Sequence, residues 1–243
     1  MPRKRIVLLT FSVVALALGA ASVQAGPRMT LPESYFNFGY IPQFAHVAHT
    51  FWLKSTGDSE LVINEVVPGC GCTEAPLEKD HIAVGDSARL EIIFDSRRFR
   101  HRTTKQPEIK TNGLEPTKKV QIIANIVPKG DTSRPLMFEP NMINFFGDDT
   151  EASKPVEFKI HNLSDSSLQI TLVAKEDKYF KAELPSSIGP GETKTGKVTL
   201  MKGVVSDAFF KSFTIEVNDV WNHRFTMPIA RRKPNMGNGF STD

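Results

Sequence analysis

Two cysteines occur in the 243 residues, and they stand two apart in Pro68-Gly69-Cys70-Gly71-Cys72-Thr73. Thiols at that spacing have three chemistries open to them. They can pair as a disulfide if Gly71 turns sharply enough to bring the two Cα atoms within bonding range. The loop so closed is too short to remove much unfolded-state entropy, and a strained, easily reduced bond of this kind suits redox chemistry better than stabilisation. Alternatively, both sulfurs can point to one side of Gly71 and hold a soft cation such as copper(I), which needs little beyond two thiolates. Zinc would want four ligands, and the histidines near in sequence are His46, His49 and His81. His46 and His49 are three apart, so on a regular strand they face opposite ways and make no ready chelate. Finally, one thiolate can act as a nucleophile, but no Cys, His and Asn/Asp pattern supplies a base and an orienting group. Against all three stands the plain reading that Cys70 and Cys72 are small packing residues in a turn at a domain edge.

A second cluster is cationic. Ser96-Arg97-Arg98-Phe99-Arg100-His101-Arg102-Thr103-Thr104-Lys105 packs five bases and a histidine into ten residues. Lying between two strand-like runs, it is expected in a long exposed loop or edge segment. There it can grip an acidic partner, a phosphate-rich polymer or anionic headgroups, or simply be a solvated loop balanced by nearby acids. Phe99 is its single aromatic residue, too few for a platform that stacks single-stranded bases. Trp52 and Trp221 read as core or rim residues rather than carbohydrate platforms, and His161 and His223 as structural. Met137, Met142 and Met227 form no copper tract. Neither a Gly-x-Ser-x-Gly nor a His-Glu-x-x-His motif is present, nor a phosphate-binding glycine loop, so the chain is not expected to be an enzyme.

The elements that must position these residues are short strands. From Ala25 onward the apolar residues alternate between turn clusters, and no stretch keeps helical periodicity over three turns. The pattern also repeats. Tyr35-Phe36-Asn37-Phe38-Gly39 answers to Ile143-Asn144-Phe145-Phe146-Gly147, the run Thr50 to Ile63 to Val156 to Ile170, and Ile82 to Asp86 to Ile188 to Glu192, with an offset that stays near 106 or 107. Each copy has the length and spacing of a seven- or eight-stranded immunoglobulin-like sandwich, with Phe51, Leu53, Leu61 and Ile63 inward and Lys54, Ser59 and Glu60 wet. The expected organisation is two tandem domains, residues 28–128 and 132–231, a linker at Pro128 to Ser133, and a loose tail over 232–243. Cys70 and Cys72 find no counterpart in the second copy, where the matching positions fall around Asp177 to Tyr179, so the fold did not demand them.

Phe36-Asn37-Phe38-Gly39, Thr50 to Asp58, Cys70-Gly71-Cys72-Thr73, Ile82 to Gly85 and Ile93-Phe94-Asp95-Ser96, taken in order, resemble the bacterial family of domains of unknown function numbered 1573. The resemblance covers about residues 34 to 127. It implies an exported bacterial protein with a sandwich related to immunoglobulin-like chaperone and sperm-protein domains, and it implies no reaction. The second copy keeps the scaffold motifs and lacks Cys-Gly-Cys-Thr, which confines any chemistry of that motif to the first domain.

Residues 1 to 25 read as an address. Arg3, Lys4 and Arg5 precede an apolar run from Ile6 to Ala20 and a small-x-small ending at Val23-Gln24-Ala25, the three-part pattern of a cleaved signal peptide. The apolar run is shorter than the roughly 20 residues a membrane span needs. Cleavage removes three bases from a chain of 30 bases and 27 acids, so the formal +3 falls to zero and no global argument for a polyanionic partner such as nucleic acid survives. The sequence therefore leads to a periplasmic or secreted, non-enzymatic protein that binds a protein or cell-surface partner, with strand addition at an exposed edge as one route. The alternative is a soft-metal (copper) or thiol-redox protein acting through Cys70 and Cys72.

Overall fold

The computed structural model describes residues 25–175 and 178–232, so all but Ala25 of the expected signal peptide and all but Arg232 of the expected tail lie outside the described residues. The chain is all-β, in two sandwiches of the same design. The first is built from β1 (Met29–Thr30), β2 (Tyr35–Pro42), β3 (His46–Ser55), β4 (Leu61–Val67), β5 (Thr73–Glu74), β6 (His81–Ile82), β7 (Ser87–Asp95), β8 (Arg102–Lys105), β9 (Glu108–Thr111), β10 (Thr117–Lys119) and β11 (Gln121–Val127). The second has β12 (Leu136–Glu139), β13 (Ile143–Phe145), a short helix α1 (Asp149–Ala152), β14 (Val156–Asn162), β15 (Leu168–Ala174), β16 (Phe180–Glu183), β17 (Ser187–Ile188), β18 (Thr193–Leu200), β19 (Phe209–Val217) and β20 (Arg224–Arg231).

The internal repeat is realised strand for strand. One sheet of the first domain runs β1-β3-β7-β5, and its counterpart in the second runs β12-β14-β18-β16. Alternation sets the inward faces: Phe51, Leu53, Ala88, Leu90, Ile92 and Phe94 are fully buried, whereas Trp52 and Lys54 between them are exposed. Phe158 and Ile160 take the places of Phe51 and Leu53 in the second core. In the facing sheet of the first domain β8 and β9 are two halves of one strand, and β10 and β11 two halves of its partner. They are interrupted where Pro107 brings no N–H and only accepts, from Val120 N at 3.1 Å.

What alternation alone does not reveal is that the two domains share a sheet. Its order is β17-β15-β19-β20-β2-β11-β8, crossing from the second domain to the first where β20 lies parallel to β2 at Phe225 and Tyr40. At the crossing Gly39 has φ of +66°, and a Cβ there would sit 2.0 Å from the Arg224 carbonyl oxygen, so only glycine fits. Asn37 Oδ1 accepts from Gly39 N at 2.9 Å and fixes the bulge. The outward face of β19 and β20 then rests on the first domain. Ser212 Oγ donates to Ala48 O at 2.8 Å and accepts from Ala48 N, and Thr226 Oγ1 donates to Phe38 O at 2.6 Å, while Lys211, alternating with Ser212 along β19, pairs with Glu91 of β7. Strands β19 and β20 are consequently buried on both faces.

Candidate functional site

The Cys-Gly-Cys segment occupies the crossover from β4 to β5, where the chain leaves one sheet of the first domain for the other. Gly69 turns it with φ of +85°, and Thr73 N donates back to Cys70 O at 3.2 Å. That tight turn brings Cys70 and Cys72 together as a disulfide, with the Cα atoms 5.2 Å apart. Cys72 packs against the first core, Gly71 is exposed, and the hydroxyl of buried Thr73 lies 3.4 Å from Cys70 Sγ. Of the chemistries open to the sequence, the structure holds the disulfide. Sulfurs bonded to each other carry no thiolate, so a soft cation or a nucleophilic attack would belong to the reduced form alone.

The histidines are placed by the period of the strand. His49 points inward, stacked on Phe36 at 3.6 Å and bonded to Glu33, while His46 points out and stacks on Phe210 of the second domain at 4.1 Å. Burial under Phe210 pushes the His46 pKa below its ordinary value, and the Asp95 carboxylate 3.8 Å away only partly offsets the loss of hydration. His81 lies on β6 beside Glu60. Among the described residues, no group of three or more His, Cys, Asp and Glu side chains is arranged to hold a metal ion.

The cationic segment proves to be a neighbour of the disulfide. Asp95 N donates to Cys72 O at 2.9 Å, and the chain then enters a loop that is pinned from beneath. Fully buried Ser96 accepts from Ala45 N and donates to Pro42 O, and Gln43 Nε2 donates to the carbonyl oxygens of Phe99 and Arg97 at 3.0 and 3.3 Å. Phe99 lies against Phe94, with the Lys105 ammonium 4.3 Å above its ring. Arg97 is held by Asp95 at 3.0 Å. Arg98, Arg100, His101 and Arg102 are exposed.

Beyond that loop the segment becomes β8, paired with β11 and the last strand of the shared sheet. Its continuation β9 is covered on the other side by β4, but β4 ends at Val67, opposite Glu108, and Pro68 begins the crossover. Over Arg102–Lys105 the far side of the strand is therefore unpaired among the described residues.

Two other singled-out residues resolve differently. Trp52 is a rim residue, 47% exposed on the outer face of β3 with the Arg89 guanidinium 5.9 Å above its ring. Trp221 is neither core nor rim: it sits at the tip of the β19–β20 connection, 76% exposed beside Val220. Asp219 closes that turn by accepting from the backbone N–H of His223 and from its ring. His161 is satisfied by Thr193 and Glu139. The counterpart of the disulfide loop in the second domain connects β15 to β16, and its Glu176 and Asp177 fall outside the described residues.

Residues 29–126 match the model of a family described as protein of unknown function, DUF1573. No curated protein matches the chain. Among solved structures, a protein of unknown function from Porphyromonas gingivalis W83 is similar at 10% identity and a TM-score of 0.35, over 84% of this chain and 99% of that one. The ASH/PapD-like domain of human CEP192 is similar at 9% identity and a TM-score of 0.36, over 52% of this chain and 99% of that one. The Pseudomonas aeruginosa CupB2 chaperone is similar at 10% identity and a TM-score of 0.29, over 82% and 98%. Scores this low say nothing about partners or activity. Among the described residues, no helix is long and apolar enough to cross a membrane.

Proposed function

Residues 29–126 form a domain of the DUF1573 family, and from that premise we propose that the chain is an exported, non-enzymatic binding or assembly protein whose partner is a protein or a cell-surface component. The observation that carries this reading is the shared sheet. It joins the two sandwiches through backbone pairing and buried hydrogen bonds, and it ends in a strand whose outer side is unpaired. A pre-organised body with an open edge binds an extended segment without first having to order itself. The test is site-specific photo-crosslinking in cells that produce the full chain, with the probe at Thr104 on β8 or at Lys159, whose strand is paired on both sides. A discrete adduct of defined sequence at Thr104 and none at Lys159, on a chain lacking its first 25 residues by mass, is the expected outcome. Identical patterns at both positions, or turnover of a substrate that depends on Cys70 or Cys72, would overturn the reading.

A second reading has one specific observation in its favour. The half-buried Cys70–Cys72 disulfide in a turn favours a thiol-redox role, with copper(I) as a ligand of the reduced pair. Intact mass after alkylation, with and without reductant, together with elemental analysis, separates disulfide, metal and inert thiol in one preparation.

A further inference from the structure

We infer that the open edge of β8, with the arginine ridge beside it, is the docking strand for an extended acidic segment of a partner protein. The inference rests on the binding reading above and names the site and the chemistry of its occupant. Three features meet at this edge. First, Arg102–Lys105 pairs on one side only, so alternate backbone N–H and C=O groups face outward and can continue the sheet. Second, Arg98, Arg100 and Arg102 are exposed and have no acidic partner among the described residues, whereas the acids closest in sequence are engaged, Asp95 by Arg97 and Glu108 by Lys119. An incoming strand rich in Asp and Glu would place its carboxylates against unspent cations, and a basic one would be repelled. Third, the ridge is held in position, by Ser96 and Gln43 from below and by the Lys105 and Phe99 contact at its end, so little order has to be imposed on binding.

The backbone edge is what favours a peptide over the other anions that arginines attract, because headgroups and polysaccharides have no ladder of N–H and C=O groups to pair with it. The test measures binding of the mature protein to a short capped peptide of alternating Glu and Val. Its comparators are a Lys-for-Glu counterpart, a version N-methylated at alternate residues, heparin, and phosphatidylglycerol vesicles. The Glu peptide is expected to bind, N-methylation to abolish binding, and the Arg100→Glu/Arg102→Glu protein to bind about tenfold more weakly or worse at an unchanged melting temperature. Heparin or the N-methylated peptide binding as tightly as the Glu peptide would reduce the site to a polyelectrolyte surface and overturn the inference. Retention on vesicles without peptide binding would do the same. Peptide binding that ignores the double charge reversal would place the segment on another edge, which overturns this site and leaves the binding reading standing. Binding to none of the peptides would overturn this site, while the binding reading stands or falls separately by the crosslinking test above.

Discussion

His46 joins the domains through a stack on Phe210, and its ring is held neutral there because burial removes the water a charged imidazole needs. A depressed pKa means that the unfolded chain binds the proton more readily than the folded one. The contribution of this residue to stability is therefore fully present above its unfolded value of about 6.5 and is lost as pH falls through the lower folded value. Denaturant titrations across that window should show a loss of stability that His46→Gln lacks. Lys211 and Glu91 meet nearby, with their side chains 5% and 16% exposed. Removing one leaves the other buried and unpaired, so Lys211→Met alone should destabilise by about 3–5 kcal/mol, while Lys211→Met with Glu91→Leu should recover most of that loss in equilibrium unfolding. The disulfide calls for the opposite expectation. So few residues are closed between Cys70 and Cys72 that the double Ser variant should cost about 1.5 kcal/mol or less on a loop-entropy argument, and a much larger loss would show that the turn itself depends on the bond.

At the scale of elements, the alternating strands and the repeat were legible because each strand needs one apolar face, and Phe51, Leu53, Leu61 and Ile63 are buried where alternation puts them. The shared sheet was not legible. Ser212, Thr214 and Thr226 are polar residues on the face of β19 and β20 turned away from their own core, yet all three are buried, because the first domain covers them and satisfies Ser212 and Thr226 with backbone partners. Nor does local sequence show that Lys211 and Arg231 are buried; Arg231 is held by the carbonyl oxygens of Val205 and Gly147 and by Asp149 of α1. The motif Phe36-Asn37-Phe38-Gly39 did signal something specific, and the structure supplies its reason: a bulge at Phe38, followed by a glycine whose missing Cβ lets β20 approach β2. Gly39→Ala should thus cost more than about 2 kcal/mol and, in small-angle scattering, lengthen the molecule as the domains part. The candidate site was half legible. The cysteines and the arginine run each stood out, but their adjacency depends on β4 ending at Val67, which no local pattern announces.

For the whole molecule, the two cores are separate clusters, yet β2, β3, β7, β19 and β20 tie them together with a parallel bridge, buried hydrogen bonds and a buried ion pair. Thermal unfolding of the mature chain should therefore be a single cooperative transition with calorimetric and van't Hoff enthalpies in agreement, and two resolved transitions would contradict a coupled pair of domains. Rigidity matters because it fixes where the sheet ends. The measurement that bears most directly on the account is amide hydrogen exchange over Arg102–Lys105, read in the free protein and with the acidic peptide bound. The outward-facing amides of β8 should exchange quickly in the free chain while those of β11 are protected, and they should become protected on binding. Protection of β8 already complete in the free protein, or unchanged in the complex, would contradict an open edge that serves as the docking strand.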